Sequence, residues 1–245
     1  MPDGQLGIGF LCILVAAAAN LLGGAVVTFR RWDDRLLRYA VALGAGFMLA
    51  AVVLRMIPES THLTPLAPVL VLTGYLLIHL FEHTVAPHFH FGEEVHPERV
   101  SATTSASALF GLGVHSFFDG MSIGSGFIID RALGLLLFVA IVLHKAPEGF
   151  AIASVVLAAR GTRTQALLAA GAVGAATLVG GLAIFGARGL VGPALALSAG
   201  VTLYVAATDL VPEVNKEEDT PAALTVFVGV LLYYVTERLL ELAGI

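Results

Sequence analysis

The sequence predicts an all-α integral membrane protein of eight transmembrane helices, and three observations carry that expectation. The 245 residues are 58% hydrophobic and only 13% charged, with mean hydropathy +0.90; a soluble domain carries about 25% charged residues. Eight apolar runs reach the roughly 20 residues that a helix needs to cross a bilayer. There is also an internal repeat. Residues 45–59 read AGFMLAAVVLRMIPE and residues 199–213 read AGVTLYVAATDLVPE. Ala45, Gly46, Leu49, Pro58 and Glu59 match Ala199, Gly200, Leu203, Pro212 and Glu213 at a constant offset of 154.

The expected spans, in order, are 6–29, 36–58, 66–85, 104–128, 133–159, 165–187, 192–213 and 222–243. They make up a single transmembrane domain, 1–245. The first span follows MPDGQLG, which lacks the basic start of a cleaved signal peptide, so it is expected to be retained. The second and seventh end in Pro-Glu and carry the repeat. The same offset lays spans two and three on spans seven and eight. By the span count, two and seven run in opposite directions, so the repeat is inverted. That gives a 3+2+3 arrangement, in which helices 1–3 and 6–8 are related and four and five lie between them. Inverted repeats are a transporter architecture, with the substrate near mid-membrane.

Most connections are short. The exception is 86–103, APHFHFGEEVHPERVSAT, a polar loop in which His88, His90 and His96 form a candidate metal-collecting group. Arg30, Arg31, Arg35, Arg38, Arg99, Arg160, Arg163 and Lys216 fall on one side of the membrane; Arg55, Arg131, Arg188 and Arg238 fall on the other. Positive residues favour the cytoplasm, so both termini are expected outside it and the histidine-rich loop inside. The net charge of −5 argues against a nucleic-acid partner. The single cysteine, Cys12, excludes a disulfide framework.

The chemistry concentrates in spans four and five. His115 and Asp119 in LGVHSFFDGMSIGSGF, and His144 and Glu148 in IVLHKAPEGFAIAS, are each spaced i, i+4, which puts each pair on one helix face. Two carboxylates and Lys145 are thereby placed at mid-depth, where each charge costs roughly 2.5–3.5 kcal/mol. A divalent cation held between the two helices would offset the carboxylates. Two imidazoles and two carboxylates suit a four-coordinate zinc site, with iron and nickel also served by such donors. Pro147 cannot donate to Leu143 and is expected to loosen the helix beside Glu148. Gly120, Gly124, Gly126 and Gly149 are expected to let spans four and five approach closely. Ser116 and Ser122 are expected to bond back to their own helix, with Ser116 also a candidate for the metal path.

The runs HSFFDGMSIG and HKAPEG resemble the signature of the ZIP (Zrt/Irt-like) family of divalent metal transporters, whose fourth span reads His-Asn-x-x-Asp/Glu-Gly and fifth His-x-x-Pro-Glu-Gly. The eight-span pattern, the histidine-rich loop and the Pro-Glu endings match as well. The resemblance implies import of zinc, or of cadmium, iron or manganese, toward the cytoplasm across a bacterial inner (plasma) membrane. It implies His115, Asp119, His144 and Glu148 as transport-site ligands, and Met48 as a residue beside the path. Two positions depart from the family. Ser116 replaces the usual asparagine, and Lys145 stands where two-metal members carry a ligand, so it is expected to substitute for the second ion and leave a single-metal site.

The partners so implied are the lipid bilayer and a divalent metal ion, with a homodimer as a candidate assembly. Asp209 and Glu213 at the inner end of span seven, and His79, Glu82 and His83 at that of span three, are candidates for the metal path. Arg55, which the repeat aligns with Asp209, is expected to reach the interface by its long stem. Two other classes use the same ligands: an intramembrane metal-dependent hydrolase, which needs an open coordination position and a general base, and a non-transporting metal sensor. Neither requires two related halves, and no HExxH is present.

Overall fold

A computed structural model describes residues 3–29, 34–84, 102–214 and 220–244. Among them the chain is all helix, apart from short turns. The helices are α1 (Asp3–Phe29), α2 (Asp34–Ala51), α3 (Ile57–Leu63), α4 (Ala67–Thr84), α5 (Ala102–Ile129), α6 (Arg131–Ala158), α7 (Arg163–Gly186), α8 (Val191–Tyr204), α9 (Val211–Val214) and α10 (Thr220–Leu242). A π-helical turn, Val52–Met56, joins α2 to α3 as one rod, and another, Val205–Leu210, joins α8 to α9. The result is eight rods. Seven are long and apolar enough to cross a membrane. The eighth, α5, has the length but is diluted by serine, threonine, glycine, His115 and Asp119, so composition alone does not mark it as a span. Residues 85–101, and with them His88, His90 and His96, lie outside the described residues.

Span two does not stop at Pro58. The π turn before it moves the backbone ladder from i−4 to i−5, and Ile57 N–H donates to Val52 C=O. Pro58 then enters at the start of α3, where a missing N–H is tolerated. The second π turn does the same, with Val211 N–H donating to Ala206 C=O just before Pro212. The two donor–acceptor pairs are related by the offset of the sequence repeat. Pro147, by contrast, lies within an unbroken α6.

The rods pack as two groups. One is α1, α5, α6 and α7; the other is α2–α3, α4, α8–α9 and α10. Between the groups, α5 and α6 face α8 and α2. Within them, helix pairs are drawn together by glycines that leave no room for a side chain. A Cβ on Gly46 would overlap the Val226 carbonyl, and one on Gly229 the Leu43 carbonyl, so α2 and α10 interlock reciprocally. Gly74 and Gly200 do the same for α4 and α8, Gly23 and Gly149 for α1 and α6, and Gly120 and Gly180 for α5 and α7. Gly120 and Gly124 therefore serve contact with α7, and Gly149 contact with α1. Of the four glycines expected between spans four and five, Gly126 is the one set there, against Gly134.

Gly44 is different. A Cβ there would sit 3.6 Å from His144 Cβ, an ordinary contact across the boundary between groups. Gly46→Ala is therefore expected to cost about 1–3 kcal/mol, the penalty of overpacking, and Gly44→Ala close to nothing. Thermal unfolding of the two variants in detergent checks this; equal melting temperatures would remove the distinction.

Candidate metal centre

α5 and α6 present their polar faces to each other in the middle of the molecule. His115 and His144 are each 4% exposed, and Ser116, Asp119, Lys145 and Glu148 are fully buried. One ligand atom from each of His115, Asp119, His144 and Glu148 falls within 4.8 Å of all the others. The donors of a tetrahedral zinc ion lie about 3.4 Å apart, given bonds near 2.1 Å, so small side-chain rotations close the set.

The local helix sets the tautomer of His144. Its Nδ1 lies 3.0 Å from the carbonyl of Ala140, one turn back. A carbonyl only accepts, so Nδ1 carries a proton there. Nε2 faces Asp119 Oδ2 at 3.2 Å. His115 Nε2 lies 3.1 Å from the same oxygen but without hydrogen-bond alignment, and both its ring nitrogens lack partners. Asp119 Oδ1 has none either. Buried nitrogens and carboxylate oxygens that gather this closely, some of them unpartnered, are what a cation site requires.

Lys145 fills the other side. Its Nζ donates to Asp119 Oδ2 at 2.7 Å, to Glu148 Oε2 at 2.5 Å and to Ser116 Oγ at 2.6 Å. All three ammonium donors are thus used. Ser116 accepts from Lys145 and donates to Glu148 Oε1 at 2.6 Å. It bridges to α6 rather than bonding back along α5, because the ammonium and carboxylate outcompete a backbone carbonyl for a buried hydroxyl. Ser122 Oγ has no partner among the described residues.

Met48 is fully buried in the core shared by the two groups, alongside Phe118, Leu137 and Ala140 and one turn from Gly44. On the far side of His115 a cavity lined by Ile78, Phe81, Glu82, Gly111, Leu112 and Asp209 leads toward the α4 C-terminus. Asp209 is 7% exposed and its Oδ1 is unpartnered. Glu82 accepts from Tyr204 Oη at 2.8 Å, and Tyr75 and Thr208 hydroxyls meet at 3.1 Å beside it. His83 donates from Nδ1 to the His79 carbonyl, within its own helix. Glu213 falls on α9. The role of Tyr204 went unread in the sequence; its signal was a phenol in an apolar run, which needs a partner for its hydroxyl.

Arg55 is partly exposed at the end of the bundle. It lies 3.7 Å from Asp130 and 3.8 Å from Glu237.

The family described as ZIP Zinc transporter matches residues 92–237. Zinc transporter ZIP9 of Micropogonias undulatus is 30% identical over 165 residues, 61% of this chain and 52% of its own length. Zinc transporter ZIP9-A of Xenopus laevis is 29% identical over 157 residues, 58% of this chain and 50% of its own. The chain thus spans about half the length of these two relatives. Zinc transporter ZupT of Escherichia coli O7:K1 is 27% identical over 259 residues, 98% of this chain and 100% of its own.

Removing one partner of a buried ion pair costs about 3–5 kcal/mol. Lys145→Met is therefore expected to lower the melting temperature of the chelator-treated protein sharply, and zinc to restore much of the loss. A melting temperature equal to the parent's in chelator would mean that Asp119 and Glu148 do not depend on the ammonium.

Proposed function

The chain belongs to the ZIP zinc transporter family, and from that premise we propose that it imports a divalent cation, zinc first among them, through a site between α5 and α6. The observation that carries this reading is the convergence of His115, Asp119, His144 and Glu148, all buried, with unsatisfied lone pairs on His115 and Asp119. It is an integral membrane protein, and its relatives are zinc transporters rather than enzymes. The bacterial relative supports a place in the inner membrane.

In this reading the ion is the substrate. His115 and His144 supply nitrogen, Asp119 and Glu148 oxygen. Lys145 takes the charge and space of a second ion, so one metal binds. Met48 lines the approach, and Glu82, Asp209 and Glu213 the way out to the cytoplasm. The loop with His88, His90 and His96 collects metal there without being essential. Cadmium, iron and manganese have donors available in the same set.

The movement proposed is alternating access between the two helix groups. Several observations support two inverted halves, three helices each, around spans four and five. The π turns before Pro58 and Pro212 share the repeat offset. The interlock of α2 with α10 has its counterpart in that of α8 with α4. Gly46 and Gly200 bind helices within one group, and the sliding surface proposed passes through Gly44 and the α5–α8 and α2–α6 contacts.

Purified protein in liposomes is expected to take up zinc, and His144→Ala or Glu148→Ala to cut the flux by more than about tenfold, the smallest loss common even for groups that only support a metal ligand. Parent-like flux in both variants would sink the ligand assignment. Anomalous scattering from a zinc or cadmium soak is expected to give one peak between α5 and α6; two full peaks about 4 Å apart, as in a two-metal site, would overturn the role given to Lys145.

A further inference from the structure

The two ends of the boundary between the helix groups differ. At the α5 N-terminus the groups are parted by the cavity that holds Glu82, Asp209 and His115. At the α5 C-terminus, about 33 Å along the helix axis from Ala108 of that cavity at 1.5 Å per residue, they are joined. There Arg55, from the π turn of span two, meets Asp130 at the α5–α6 corner and Glu237 on α10. The repeat offset makes Arg55 the counterpart of Asp209. One half thus carries a carboxylate with an unpartnered oxygen beside a cavity, and the other a paired cation at the joined end.

We propose that the Arg55–Asp130 pair is a latch that holds the two helix groups together at the α5 C-terminal end and parts when the site opens on that side. The proposal rests on the transport reading above. Arg55 and Glu237 belong to one group and Asp130 to the other, so separation of the groups must break the Arg55–Asp130 contact and spare Arg55–Glu237. The guanidinium is therefore never left without a carboxylate. Glu237 is held ready by Tyr233, whose hydroxyl donates to it at 3.2 Å. The side chains of Arg55 and Asp130 are 31% and 43% exposed. A pair so solvated is weak enough to break in each cycle.

Asp130 has two separable duties. Its Oδ1 caps α6 by accepting from Leu133 N–H at 2.7 Å, while Oδ2 faces Arg55. Asp130→Asn keeps a good N-cap and removes only the charge. The experiment is thiol labelling of the full chain in liposomes, on a Cys12→Ala background, with Met56→Cys or Ala108→Cys as reporter. Met56 is 1% exposed beside Arg55, and Ala108 is 1% exposed in the cavity at the other end. Asp130→Asn is expected to speed labelling at Met56→Cys about fivefold, the population change that roughly 1 kcal/mol produces, without speeding it at Ala108→Cys. Arg55→Gln should do the same, and the double variant no more than either alone.

Unchanged labelling at Met56→Cys overturns the latch, as does equal acceleration at both reporters, which marks a loosened fold. Zinc uptake on the same samples separates the two ideas. Intact uptake with unchanged labelling sinks the latch alone. A labelling shift in a protein that moves no zinc sinks the transport reading alone.

Discussion

One buried electrostatic requirement organises this molecule: Asp119 and Glu148 are ionisable groups without solvent contact in an apolar bundle, and they must be neutralised from within. Lys145 does so by touching both carboxylates, and Ser116 completes the ring. Isolated charges at this depth would be prohibitive. Shared among one ammonium, one hydroxyl and two carboxylates, they become tolerable. That requirement fixes the register of α5 against α6, because a slip of one residue on either helix would turn a charge toward lipid or core. The glycine interlocks of α1 with α6 and α5 with α7 then hold both helices from behind.

The second group answers to a different constraint. Two of its rods, α2–α3 and α8–α9, each contain a proline after a π turn, and each is clasped to a partner by reciprocal glycines. A π turn leaves backbone carbonyls short of partners and is common where function needs them. Here the two turns flank the centre from opposite ends, one carrying Arg55 and the other Asp209. The same local backbone device therefore delivers a cation to one end and an anion to the other.

Much of this was legible in the sequence, because membrane helices and metal ligands leave strong local signals. Length and hydropathy marked the rods, and i, i+4 spacing put His115 with Asp119 and His144 with Glu148. What failed needed partners on other helices. Ser116 was expected to bond back along α5, since nothing in the sequence placed Glu148 within reach of it. The partners of Arg55 could not be read either, because Asp130 and Glu237 lie far off in the chain. Gly120 and Gly149 were assigned to the wrong neighbour: small residues announce a close approach but not the helix that approaches. The run 52–56 gave no sign of a π turn beyond the proline after it.

On the proposed reading, the lysine also explains how a carrier with one metal stays soluble in its own core. With neutral histidines, Asp119, Glu148 and Lys145 sum to one negative charge when the site is empty, and to one positive charge when a divalent ion is bound. Neither state carries more than a single net charge at the centre. Had both carboxylates been left without Lys145, the empty carrier would hold two negative charges there, and its return would cost far more than the loaded step. Placing the second cation on a side chain, rather than drawing it from solution, keeps it at the site throughout the cycle. The ammonium cannot follow the metal out, so each departure of an ion leaves Asp119 and Glu148 already paired.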